Sequence, residues 1–98
     1  MPQVIWTTPA SDDIERHFQF LATENPKAAV RAVQTIVRMG RSLENFPRRG
    51  TPLQDGSNRR KLRVDFGKYG YAILYRVEED IVVILRVYHG RESRPYSR

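Results

Sequence analysis

The side chains able to do chemistry gather toward the end of this chain. His89, Arg91, Arg94 and Tyr96 follow one another closely. An imidazole titrates at about pH 6.5 and serves as base or acid. An arginine brings a fixed, bidentate cation. His89, Arg91 and Tyr96 could therefore assemble an acid–base pair. The plainer reading makes His89 a strand-end residue that hydrogen-bonds the tail, and makes Arg91 and Arg94 solvated charge. Upstream, Arg59, Arg60, Lys61 and Arg63 form the densest basic cluster. In a strand, Arg59, Lys61 and Arg63 share one face, and Arg60, Leu62 and Val64 share the other. Such a stripe suits the acidic residues of a protein partner or a nucleic acid. On an edge strand it would also block sheet-to-sheet aggregation. No nuclease or hydrolase constellation surrounds these residues. No metal site and no cofactor is expected.

Charge points the same way. The net charge is +6. Residues 1–47 hold five basic and five acidic side chains, so the whole excess lies in residues 48–98. That asymmetry favours a polyanionic or acidic partner. Cysteine is absent, which excludes thiol catalysis and thiolate metal ligands and suits a reducing cytoplasm. No apolar run approaches the roughly 20 residues that span a bilayer. Residues 1–8 lack the basic and apolar regions of a signal peptide, so no leader and no membrane contact are expected. At 98 residues the expectation is one domain, 1–98, with one core.

The elements that must position these groups are legible in outline. Val4, Ile5 and Trp6 read as a first strand. Thr8 and Pro9 read as the N-cap and first position of a helix. Asp12, Asp13 and Glu15 then fall in its first turns, where the dipole favours anions. Ile14, Phe18 and Leu21 form its apolar stripe. Asn25-Pro26 ends it and starts a second helix to about Glu44, with Ala29, Val33, Ile36, Val37 and Leu43 inward. Gly40 weakens that helix or lets a neighbour approach closely. Arg16, Glu24, Arg31 and Arg38 read as solvated. Residues 46–57 form a Pro- and Gly-rich loop. Three strands follow: Arg59 to Phe66, an alternating run through Tyr71, Ile73, Tyr75 and Val77, and Ile81 to Tyr88. Ile81 to Leu85 is apolar at every position, which predicts a central strand covered on both faces. Trp6, Tyr71 and Tyr75 suit core packing more than base stacking. The prediction is an α+β fold: an N-terminal strand, an antiparallel two-helix hairpin, then a three-stranded antiparallel segment, β-αα-βββ.

That order resembles the RelE/ParE superfamily of bacterial toxins. The likeness covers nearly the whole chain, from Val4 to Tyr96, and is carried by the segments VIWTTPASDDIE, NPKAAVRAV, LENFPRRGTPL, YAILYRV and VYHGRE. RelE-like members cleave mRNA on the ribosome. ParE-like members inhibit DNA gyrase and are held inactive by a ParD-type antitoxin. ASDDIE, NPKAAVRAV, FPRRG and VYHGRE look more like the ParE branch. RelE places an arginine after its Gly-Tyr pair; here Ala72 follows Gly70-Tyr71. Relatives of the YoeB type end the last strand in Tyr-His-Tyr; here Gly90 follows Tyr88-His89. A ribonuclease site built on either pattern is incomplete. The resemblance therefore implies a gyrase-binding toxin more than an enzyme, acting in the bacterial cytoplasm. It implies a ParD-like antitoxin as partner, and contact with operator DNA only through that antitoxin. Its target-binding residues would be Arg91, Arg94, Tyr96, Arg59, Lys61 and Arg63. The alternative is a ribosome-dependent mRNA endonuclease using His89, Arg91 and Tyr96.

Overall fold

The computed structural model describes residues 2–92. Strand β1 (Gln3–Trp6) leads into helix α1 (Thr8–Ala22) and helix α2 (Pro26–Arg41). A 3-10 turn (Ser42–Glu44) follows, then β2 (Thr51–Pro52), β3 (Arg59–Val64), β4 (Tyr71–Glu78) and β5 (Ile81–His89). The expected β-αα-βββ order is present, with one short extra strand inside the long loop. The five strands form a single mixed sheet in the order β1-β5-β4-β3-β2. β1 runs parallel to β5, and the remaining neighbours are antiparallel.

Thr7, not Thr8, caps α1: its hydroxyl accepts the Ala10 N–H at 3.3 Å. The same residue ends β1, donating its own N–H to the Ile84 carbonyl at 3.1 Å. Asn25 caps α2 as expected, accepting the Ala28 N–H at 3.1 Å. α2 is α-helical only to Arg41, and the predicted stretch to Glu44 tightens into the 3-10 turn. Such tightening is common where the last carbonyls of a helix seek donors.

The core lies between the helical hairpin and one sheet face. Ala10, Ala32, Ile36 and Leu43 meet Leu62, Val64, Tyr71, Ile73, Tyr75, Val77, Val82, Ile84 and Val87. Gly40 brings α2 against Trp6, since a Cβ there would lie 2.5 Å from the indole ring. The close-approach reading of this glycine is the one realised.

Two expectations about the sheet are corrected. The strand covered on both faces is β4, buried at every position from Tyr71 to Tyr75. It lies in the middle of the sheet, whereas β5 alternates over its apolar run. β3 is also not an edge: Thr51 and Pro52 pair with Lys61 and Arg60 along its outer side. A loop too short in apolar residues to read as a strand supplies that cover.

β5 is where the two halves meet. β1 pairs with it only as far as Trp6 and Ile84. Beyond that point the register against β4 slips, from Leu74 opposite Arg86 to Tyr75 opposite Ile84, which leaves Leu85 as the bulged residue. The exposed edge of Val87 is completed by helix side chains. Asp13 accepts the Val87 N–H at 2.9 Å, and His17 Nε2 lies 2.8 Å from the Val87 carbonyl. Both side chains are buried. Asp13 was expected as a first-turn anion serving the helix dipole; instead it faces inward and substitutes for a neighbouring strand.

Candidate target-binding surface

The sheet face turned away from the helices is basic, and the strand register fixes its layout. Lys61, Leu74 and Arg86 lie abreast across β3, β4 and β5. Arg63, Ala72 and Tyr88 form the next row toward the open end. Ala72 and Leu74 face outward yet are only 4% and 3% exposed.

These cations are not equivalent. Arg59 is engaged by Asp55 at 2.8 Å and by the Ser57 hydroxyl at 3.1 Å. The Asp55 carboxyl is drawn down to about 2 by the Ser57 hydroxyl and N–H and by Arg59. Arg76 is paired with Glu78. Arg86 is held by Asp13 through two hydrogen bonds, at 2.7 and 2.9 Å, and its guanidinium stands 5.3 Å from the Tyr88 ring. Asp13 thus carries Arg86, the Val87 N–H and, at 3.2 Å, Arg16. Burial alone would raise its pKa, but these donors together hold it below the ordinary carboxylate value. Arg16, expected as a solvated residue, also pairs with Glu92. Lys61 makes no ion pair among the described residues, and Arg63 meets Asp65 only at 3.5 Å with both side chains almost fully exposed. Pairs of that kind contribute little. Lys61 and Arg63 therefore present available charge.

The predicted tail residue Arg91 joins them. Its guanidinium lies 5.0 Å from the Tyr69 ring, with Lys68 at 5.5 Å from the same ring. Its N–H donates to His89 Nδ1 at 3.2 Å, so this histidine does bond the chain that follows it. Glu92 accepts the His89 backbone N–H at 3.3 Å. Lys61, Arg63, Tyr69, Tyr71, Ala72 and Gly90 line one hollow of about 150 Å³ at the end of the sheet. Gly90 belongs there for a steric reason: a Cβ on it would lie 2.1 Å from the Tyr69 carbonyl oxygen. A tyrosine at this position has no room, which explains why the strand ends Tyr-His-Gly. Of the sequence-predicted residues, Lys61 and Arg63 line this hollow and Arg91 stands over Tyr69, another of its lining residues; Arg59 lies farther along β3, tied to Asp55. Arg94 and Tyr96 lie outside the described residues. Tyr69 is one of the tyrosines whose place beside basic groups suggests stacking, whereas nothing in the sequence reading marks Arg76, Arg86 and Lys68 as contact residues, although the period-2 pattern that places Lys61 outward also places Arg76 outward.

A two-helix hairpin packs against a small mixed sheet with cations on its uncovered face, and no helix among the described residues is long and apolar enough to cross a membrane. Comparison with known proteins makes the class specific. Residues 4–94 match the family of the ParE toxin of type II toxin–antitoxin systems, and the chain belongs to that family. It is 35% identical to Toxin RelE3 of Caulobacter vibrioides, over 87% of this chain and 90% of the relative. It is also 35% identical to Toxin ParE3 of the same organism, over 93% and 89%. Among solved structures, the chromosomal ParDE system of P. aeruginosa superposes with a TM-score of 0.76 at 23% identity, covering 91% of this chain and 96% of that one. The RelBE2 toxin–antitoxin complex of Mycobacterium tuberculosis gives 0.63 at 28%, covering 91% and 99%. The α+β fold expected from sequence is that of these neighbours.

Proposed function

We propose that this chain is a ParE-type toxin that inhibits DNA gyrase by binding it, in the bacterial cytoplasm, until a ParD-like antitoxin covers it. The observation that carries the reading is the hollow at the sheet end. Its wall holds the available cations Lys61 and Arg63, but its floor is Ala72, where a ribonucleolytic site of the RelE type has an arginine. A surface with charge to dock on a partner and an inert floor suits binding more than bond cleavage. Arg91 at the rim extends that surface, and the tail residues Arg94 and Tyr96 complete the proposed contact. The antitoxin's place is the half-buried face of α2, where Val33 and Val37 line a depression bordered by Arg38 and Arg41. An amphipathic helix with an apolar stripe and acidic flanks fits there. Operator DNA would be met through the antitoxin alone.

The experiment is supercoiling by purified gyrase with antitoxin-free protein added. Inhibition at stoichiometric protein, lost in a Lys61→Ala, Arg63→Ala, Arg91→Ala variant that still folds, is the expected result. Full gyrase activity with folded protein counts against it.

A second reading is a ribosome-dependent mRNA endonuclease. It is favoured by relatives that carry RelE names and by the two cations beside the hollow, which could stabilise a phosphate. It expects cleaved transcripts on translating ribosomes and loss of toxicity in His89→Ala.

A further inference from the structure

On the other side of the sheet end lies a second cavity of about 370 Å³, between α1 and the ends of β4 and β5. That size falls within the range of ligand pockets, roughly 300–1,000 Å³. Phe20 and Leu21 form its apolar wall, His17, Tyr71 and His89 its ring-lined floor, and the paired Arg16 and Glu92 its rim. The rings meet edge to face or tilted, with Tyr71 5.2 Å from His17 and 5.4 Å from His89. Phe20 stands at the mouth, 73% exposed among the described residues.

Two polar groups in the floor are left over. Tyr71 is 6% exposed, and among the described residues its hydroxyl makes no hydrogen bond. Burial pushes its pKa up. His17 is equally buried. Its Nε2 faces the Val87 carbonyl, which can only accept, so Nε2 carries a proton. In the neutral ring Nδ1 is then an acceptor, and it has no partner among the described residues. Buried polar groups are satisfied in the great majority of cases, so a donor and an acceptor left open in one cavity ask for an occupant.

We propose that this cavity binds a phenolic ring. An aromatic ring fills the space against Phe20 and Leu21, and a phenol hydroxyl both accepts, as Tyr71 requires, and donates, as His17 requires. The ring could be a tyrosine side chain presented by a protein partner or a free phenolic molecule. The inference stands apart from the choice of toxin target.

The test is a titration of the isotopically labelled full-length protein with 4-methylphenol, with toluene as the hydroxyl-free control, and with N-acetyl-tyrosinamide, followed by NMR. Expected are shifts centred on His17, Phe20, Leu21 and Tyr71, and 4-methylphenol binding about tenfold tighter than toluene, the scale of one hydrogen bond. Tyr71→Phe, which keeps the ring, should retain toluene binding and lose the part of that advantage owed to the Tyr71 donor, the His17 acceptor remaining. If N-acetyl-tyrosinamide matches 4-methylphenol, the occupant is a peptide tyrosine; if only the bare phenol binds, it is a small molecule. Equal affinity for phenol and toluene, shifts elsewhere, or a Tyr71→Phe variant whose preference for phenol is undiminished overturns the assignment. His17 is left intact because it also closes β5, and Phe20→Ala serves as the second variant. Weaker binding of both rings is expected from it, and unchanged binding places the ligand outside this cavity.

Discussion

Asp13 accepts the backbone N–H of Val87 at 2.9 Å, across 74 positions of sequence. The contact places a helix carboxylate where the ladder of β1 would run if that strand continued past Trp6. It binds α1 to β5 and, through Arg86, to the outer face of the sheet.

Replacing Asp13 with alanine strips the Val87 N–H of its acceptor in a buried setting. We expect a loss of about 1–3 kcal/mol, because an unsatisfied buried donor bears its full desolvation cost while Arg86 and Arg16 can turn to water. Chemical denaturation with unchanged m value checks it. Amide exchange at Val87 should accelerate in the same variant.

Asp13 also predicts acid sensitivity. Its folded carboxyl titrates below the reference value of 3.8. The stabilisation is therefore present in full above that value and is lost as pH falls through the lower, folded one. Wild-type stability should drop in this acid window. In Asp13→Asn the drop should be shallower, measured as Tm against pH below 4.

Tyr75 is fully buried, and its hydroxyl donates to the Pro47 carbonyl at 2.8 Å and accepts the Gly50 N–H at 2.9 Å. It pins the loop that bears exposed Phe46. Tyr75→Phe should cost about 1–3 kcal/mol by leaving both loop groups unmatched. Faster exchange at Gly50, with β4 amides still protected, would separate a loosened loop from general unfolding.

Gly40→Ala should destabilise by about 1–3 kcal/mol despite alanine's better helix propensity, because its Cβ would lie 2.5 Å from the Trp6 ring. Trp6 fluorescence should change in the folded state. A stabilised protein would show that α2 can move away from β1 at no cost.

The elements announced themselves where the local signal was strong. Asn25-Pro26 marks the break between helices because one residue both caps α2 and precedes proline. The alternation of Arg59, Lys61 and Arg63 was enough to place them on one face of β3. Asp13 was misread because a sufficient local explanation already existed: a carboxylate early in a helix suits the dipole. The signal that would have found it is periodicity counted without regard to polarity, since Ala10, Asp13 and His17 share the buried face of α1. Nothing local foretold the hollow beside Lys61. It arises because Gly90 extends the ladder to Gly70 at 2.9 Å and draws Tyr69 and Arg91 to the sheet end.

The parallel pairing of β1 with β5 also has a consequence for synthesis. The first strand to leave the ribosome finds its neighbour only when the last has been made. Until then Gln3–Trp6 has no partner in the sheet, and Asp13 and His17 have no backbone to complete. Native structure dominated by such distant contacts is reached late and cooperatively. A chain halted before Ile81 has β2, β3 and β4 but not the strand that joins them to β1 and receives Asp13 and His17, so such a truncated product of translation should be harmless.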